Sequence, residues 1–398
     1  MADHLHLAVA LTDTGWHPAS WREVGARPQD LFTAGYWVDL VREAERGLAD
    51  FVTIEDGLRL QSDHPWVADD RTDRVRGRLD ATLVAARVGP ATTGIGLVPT
   101  VVVNHTEPFH ASKAIATLDY VSSGRGGVRV QLDGGAATAG HFGRRETSFG
   151  AADLHDLDSP EVQARIAEAF DEAGEYVEVL RRLWDSWEDD AEIRDVASGR
   201  FVDRARLHHI DFEGRWFSVK GPSITPRPPQ GQPLVTSLGH ADIPYRLIAR
   251  STDVGFVTPR NAEQARGIVG HVRAEQEAAG RADETVHVFG DVLVVLDDTH
   301  AAAQARRRRL DEVAPYESDA LVFAGTPLEL ADLLEVWAAA GLTGFRLRPA
   351  VLPHDLSQVV DGLVPELQRR GLFRTAYDAG TLRGLLGLGR PVNRYATV

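Results

Sequence analysis

The chain has 398 residues, 43% hydrophobic and 25% charged, with 37 Gly and 20 Pro scattered along it, an ordinary globular composition that can fill a sizeable core. A formal net charge of −15 argues against nucleic acid as a partner, because that binding relies on Lys and Arg neutralising phosphates. The absence of Cys excludes disulfides, thiolate metal sites, cysteine nucleophiles and iron–sulfur ligation, which leaves His, carboxylates, hydroxyls, Arg or a bound cofactor to carry any chemistry.

The opening MADHLHLAVALTDTGW lacks the positive n-region of a signal peptide, and its apolar run is short and broken by His. No stretch approaches the roughly 20 apolar residues of a membrane helix. A cytoplasmic protein with no membrane contact is expected.

Short β-branched or apolar runs alternate with longer segments of helical period, the pattern of parallel strands joined by crossover helices. Strands are predicted at Leu5–Leu11, Phe51–Glu55, Ile95–Thr100, Gly127–Leu132, Leu234–Leu238, Val254–Thr258, Val286–Leu296 and Thr343–Leu347. Helical patterns lie between them at 33–47, 77–89, 108–122, 160–187, 242–251, 260–280, 327–340 and 355–370. Start signals support several: Asp30 and Thr33, Thr106 with Pro108, Ser159-Pro160-Glu161, and Thr326-Pro327. Eight such units predict a closed (β/α)8 TIM barrel, since an open sheet of that many strands would be unusually wide.

One barrel domain is expected to span 1–398, with insertions at 133–158 after the fourth strand and 188–232 after the fourth helix, and a tail at 372–398. The first insertion, on the strand C-terminal side where barrel active sites sit, is the better lid candidate. The basic run Arg306 to Arg309 follows an Ala-rich helical stretch and reads as a solvated helix face.

His4-x-His6 has the spacing of a metal pair, but it precedes the apolar run and so falls at the non-catalytic end of the first strand. No metal site is expected. No GxSxG elbow, P-loop or GxGxxG occurs at a strand-to-helix turn. What remains are polar residues just past strand ends: Thr12, Asp13, Trp16 and His17; Asp56; Asn104 and His105; Arg129, Gln131 and Asp133; and Ser237-Leu238-Gly239-His240-Ala241. In a barrel these converge on one mouth. The last group is the most specific, because a Gly followed by a helix start offers free N–H groups and a positive dipole end to a phosphate. That suits flavin mononucleotide, and equally other phosphorylated ligands.

Over most of its length the chain resembles the nitrilotriacetate, dibenzothiophene-sulfone and pristinamycin-type branch of the luciferase-like monooxygenases. The likeness is carried by LHLAVALTDTGWHPASWR, FTAGYWVDLVREAERGLADFVTIEDGL, TEPFHASKAIATLDYVSSGRGGVRVQ, EAGEYVEVLRRLWDSWEDDA, HIDFEGRWFSVKGPSITPRPPQGQP and TLRGLLGLGRPVNRY. It implies an enzyme that takes reduced flavin mononucleotide (FMNH2) from a separate flavin reductase, binds O2 as a flavin peroxide and oxygenates a small organic substrate. It also implies a homodimer paired through early helices, where Tyr36 and Trp37 look exposed.

Position by position, the resemblance sets Asp56 beside the flavin ring, Asn104 at a hydroxyl or amide position, Arg129 where relatives have the Asn of a Trp-Asn pair, and Gly239, His240 and Ala241 on the Gly-Ser-Ser of a phosphate loop. The implied cofactor set is Asp56, Thr100, Asn104, Arg129, Gln131, Ser237, Gly239, His240 and Ala241. Histidines 17, 105, 141 and 155 fall near the mouth, with His17, His105 and His155 as the catalytic candidates. Three departures stand out: His240 and Ala241 replace two serines, Phe170 replaces a Tyr, and 133–158 differs from the family pattern. A deazaflavin-dependent hydride transferase and a flavin-binding protein without catalysis stay open as alternatives.

Overall fold

The computed structural model describes residues 4–62, 68–143, 153 and 156–396. Along the chain run β1 (His6–Leu11), β2 (Phe51–Ile54), β3 (Gly96–Val102) and β4 (Gly127–Gln131). Two short hairpins follow, β5–β6 (Glu192–Asp195, Arg200–Val202) and β7–β8 (Phe212–Glu213, Ser218–Val219). The remaining strands are β9 (Leu234–Gly239), β10 (Val254–Val257), β11 (His287–Leu296), β12 (Leu321–Gly325) and β13 (Gly344–Pro349).

Parallel pairing runs β10-β9-β4-β3-β2-β1-β13-β11, and β10 pairs with β11 to close the ring. The result is the expected eight-stranded TIM barrel. All eight predicted strands belong to it. Their near-continuous burial is what a sheet covered on both faces requires.

The helices form where caps and apolar stripes coincide. Thr33 accepts the Tyr36 N–H and opens Ala34–Arg46, whose buried stripe is Tyr36, Trp37, Val38, Leu40, Val41 and Ala44. Tyr36 and Trp37 are therefore core residues, contrary to the exposed reading. The Tyr36 hydroxyl donates to Asp13 O and the Trp37 indole to Leu31 O, so helical spacing packed both aromatics inward.

The basic run is likewise only partly solvated. It lies in the helix His300–Val313, but Arg306 is buried and donates to Leu296 O and to the Asp355 carboxylate, while Arg309 stays exposed. The helical stretch was expected, but β12 was absent from the predicted strands. β11 is ten residues long: its first half pairs with β10, and its second half, running past the end of β10, pairs with β12. The segment leading into β12 thereby lies over the mouth.

The hairpin insertion packs on the outside of the helix Pro160–Asp185, where the Glu175 carboxylate accepts the N–H groups of Trp216 and Phe217. The opposite, N-terminal end of the barrel is plugged by the tail: Leu382, Leu386 and Leu388 join Ala8, Phe51, Val98, Leu234, Phe256 and Phe289. There His287 donates through Nε2 to Leu386 O, at 2.9 Å.

Burial lowers the His287 pKa to about 4. A folded value below the unfolded one of about 6.5 contributes stability at neutral pH that is lost as pH falls through that window. Between pH 7 and pH 4 the wild type should lose about 3 kcal/mol more stability than His287→Gln, read from urea midpoints at each pH. Parallel losses in the two proteins would remove His287 from the acid response.

Candidate active site

All eight barrel strands point the same way, so their C-terminal ends share one mouth. The loop after β1 enters it through Gly15, which has φ +132°. Trp16 Nε1 donates to Ala10 O, and His17 is buried with Tyr316 set edge-on against its ring. The Ala19 N–H donates to His17 Nδ1, which places the imidazole proton on Nε2, facing the Asp311 carboxylate at 3.1 Å. Burial lowers the His17 pKa against the pull of Asp311, so the ring is neutral and both nitrogens are occupied.

At the end of β2 two carboxylates diverge, as neighbours on a strand must. Glu55 turns inward and is buried, accepting from Arg129 at 2.7 Å and lying 3.3 Å from Arg346. Asp56 turns to the rim, where its oxygens accept the Gly57 N–H (2.7 Å) and the Ala81 N–H (2.8 Å) at the start of the helix Ala81–Val88. Burial raises the Asp56 pKa, partly offset by those two N–H groups.

From β3, Thr100 accepts an Arg129 N–H at 3.0 Å; the two residues are register partners across β3 and β4. Asn104 and Asp133 form a mutual clasp, side-chain N–H to carbonyl at 2.7 Å and backbone N–H to amide oxygen at 3.1 Å. His105 Nε2 donates to the same Asp133 carbonyl and its ring stacks on Phe142. Asn104 and His105 thus hold the β3 and β4 loops together, while His155 lies outside the described residues.

Gln131 accepts from Arg129 at 2.8 Å. On β9, Gly239 is buried, and a Cβ there would come within 3.0 Å of Tyr245 and Ile248, so glycine seats the helix Asp242–Ser251 against the strand. Ala241 caps that helix without a side-chain hydrogen bond. His240 is engaged by Thr258 at Nδ1 (3.0 Å) and approaches Asp319 with Nε2 (3.4 Å). Although nearly half its side chain is exposed, the protein packed around the ring lowers its pKa, with Asp319 opposing.

Beneath these residues lies a charged layer that the sequence reading missed. Asp291 and Arg346 are register partners on β11 and β13, paired through Nε at 2.9 Å. Asp291 also accepts from Arg348, which reaches on to Asp319. Arg346 lies over the Phe256 ring at 4.1 Å and Arg348 over Trp16 at 4.5 Å. Burial pushes the Asp291 carboxyl up, but the two arginines outweigh it and hold it ionised. The available signal was the alternation Arg346-x-Arg348 on a strand, beside the one carboxylate in the mostly apolar β11.

Two cavities open above this layer and share Gln131. The first, 330 Å³, includes His17, Asp56, Trp16, Arg78 and Tyr316 in its wall. The second, 230 Å³, includes Arg129, Ser237, His240 and Phe170. Thr100 lies below the mouth, and Asn104 and His105 line neither cavity. Among the described residues, no group of three His, Asp or Glu is placed to hold a metal ion.

The luciferase-like monooxygenase family model matches residues 15–323. N-acetyl-S-(2-succino)cysteine monooxygenase of Bacillus subtilis (strain 168) is 29% identical, over 98% of both chains. Nitrilotriacetate monooxygenase component A of Aminobacter aminovorans is 28% identical, again over 98% of both. Among solved structures, a riboflavin lyase with modified FMN and riboflavin superposes with a TM-score of 0.83 at 26% identity, covering 98% of this chain and 97% of that one. The EDTA monooxygenase from Chelativorans sp. BNC1 has a TM-score of 0.81 at 22% identity, covering 97% and 99%. With the barrel, the mouth and these likenesses together, the chain belongs to the luciferase-like monooxygenases and is a flavin-dependent enzyme.

Proposed function

We propose that this protein is an FMNH2-dependent monooxygenase that oxygenates a small organic substrate with O2, using reduced flavin delivered by a separate reductase. The observation that carries the reading is the pair of cavities meeting at Gln131, one of them lined by Ser237 and His240 at the strand end that leads into the helix Asp242–Ser251. The residues fit a phosphorylated flavin: free N–H groups at that helix start suit a phosphate, and Arg129 Nε is buried without a partner among the described residues. Ser237, Gly239, His240 and Ala241 would border the phosphate, with Arg129 in the same cavity and Asp56 and Gln131 nearer the ring.

When bound, reduced flavin supplies the electrons that activate O2. The chain's own part is to position and to exclude water. Trp16 and Tyr316 wall the first cavity, and His17, tied at both nitrogens, holds their loops in place. Of the two described catalytic candidates, His105 alone keeps a ring nitrogen, Nδ1, without a partner among the described residues, and it lies outside both cavities, so a proton role for it requires the β3 and β4 loops to turn it toward the ligand.

Stirring purified protein with FMN, a flavin reductase and NADH in an oxygen electrode tests the assignment. Substrate-dependent O2 uptake with FMN supports it. Turnover only with a reduced deazaflavin, without O2 uptake, would replace it with hydride transfer.

Asp56→Ala is expected to lower FMN affinity at least tenfold and, by freeing the Ala81 N–H, to cost about 1 kcal/mol of stability. A stability loss with unchanged affinity, by calorimetry, would return Asp56 to a helix cap alone.

We further read residues 1–398 as one cytoplasmic catalytic domain that pairs into a homodimer. Among the described residues, no helix is long and apolar enough to cross a membrane. The pairing face is the apolar hollow between the helices Ala34–Arg46 and Ala81–Val88, where Leu83 is 70% exposed beside Leu79 and Val84. Leu83→Glu should shift the light-scattering mass from dimer to monomer, and a wild type monomeric at micromolar concentration would end the idea.

A further inference from the structure

The charged layer under the mouth is unevenly compensated. Arg129, Arg346 and Arg348 are each at most 4% exposed, as against two comparably buried carboxylates, Glu55 and Asp291. The third carboxylate, Asp319, stands at the rim with 40% of its side chain exposed. The shortfall falls on Arg129. Arg346 and Arg348 each bond Asp291 by two nitrogens, whereas every hydrogen bond from Arg129 leaves from Nη1, toward Glu55, Thr100 and Gln131. Its Nε is buried and has no partner among the described residues. Burial draws the guanidinium pKa down to about 10 against the pull of Glu55, with Arg346 and Arg348 adding to the depression.

A buried donor left unpaired costs free energy that a ligand can return. The cavity that Arg129 lines is suited to return it. Among the described residues no carboxylate lines it; its wall includes Leu132, Leu238, Leu247 and Phe170 with Ser237 and His240.

We propose that Arg129 makes this cavity an oxyanion subsite, taking the phosphate, carboxylate or sulfonate of a ligand whose remaining body is apolar. The subsite rests on the flavin reading only if the oxyanion is the cofactor's phosphate; a substrate's acid group is the other source. Planar two-nitrogen recognition by Arg suits all three groups, and the unpaired Nε together with Nη2 is the edge that remains for it.

The test is calorimetric titration of wild type and Arg129→Gln with FMN, riboflavin and inorganic phosphate, and of the FMN-loaded proteins with succinate. If the oxyanion is the cofactor's, Arg129→Gln weakens FMN about ten- to a hundredfold and leaves riboflavin unchanged. If it is the substrate's, FMN and riboflavin hold, and succinate binding to the FMN-loaded wild type is lost in the variant. Equal losses for FMN and riboflavin, or no change for any of the four probes, would overturn the subsite and leave Arg129 as an ion-pair strut.

Should Arg129→Gln fail to fold, Ser237→Asp puts a carboxylate into the same cavity with Arg129 intact. It should produce the same selective loss, and undiminished binding of FMN, phosphate and succinate would equally overturn the proposal. A wild type that binds no FMN would remove the flavin reading, while phosphate, and succinate titrated into the flavin-free proteins, still decide Arg129.

Discussion

Asp291→Ala is expected to destabilise the fold by about 3–5 kcal/mol, because it leaves two buried guanidinium groups without their shared partner. Asp291 is fully buried and accepts from both Arg346 and Arg348, neither of which has a route to water. The loss should appear as a lower urea midpoint with an unchanged denaturant slope. Arg348 retains Asp319, whereas Arg346 retains only Glu55 at 3.3 Å. Adding Arg346→Met to Asp291→Leu should therefore recover most of the stability, since an apolar replacement of a buried pair is often neutral. A single variant as stable as wild type would show that the layer is not an ionised network.

Gly15→Ala is expected to disable the enzyme while sparing most of the barrel. The residue adopts φ +132°, and a Cβ there would sit 2.3 Å from Ala350 O, so both backbone and neighbour forbid a side chain. The loop it starts is pinned by Trp16 N to Pro349 O and His17 N to Ala350 O, and it carries Trp16 and His17 into the first cavity. Relieving the clash must shift that loop, at a cost of about 1–3 kcal/mol for the strain alone and at least a tenfold fall in kcat/KM, a change of about 1.4 kcal/mol in barrier. Gly25→Ala is the control: φ is +86° but no atom lies within 4 Å, so only the left-handed penalty of about 1–2 kcal/mol applies and activity should persist. Equal activity in the two variants would show that the loop's position does not matter to turnover.

The eight barrel strands were legible because each is a short apolar run flanked by helical period, and local pattern decides such elements. Caps were legible for the same reason: Thr33, Ser159 and Thr326 each do locally what their side chains allow. Where the reading failed, the deciding partner was distant in sequence. Tyr36 is tied inward by Asp13, 23 residues away, and Arg306 by Asp355, 49 residues away. β12 escaped because its ladder forms only where β11 outruns β10.

The same division holds at the mouth. Sequence by itself determined which side chains end the strands, and therefore that His17, Asp56, Gln131, Arg129 and Ser237 would share one face, because parallel strands in one barrel must end together. Only the tertiary structure decided that Asn104 and His105 turn to Asp133, that both nitrogens of His17 are taken, and that Glu55 rather than Asp56 points inward. It also decided the balance of charge under the site. Asp291, Arg346 and Arg348 are ordinary strand residues until the ring closes; then β11 and β13 become neighbours, and residues 55 positions apart must compensate one another in a space without water.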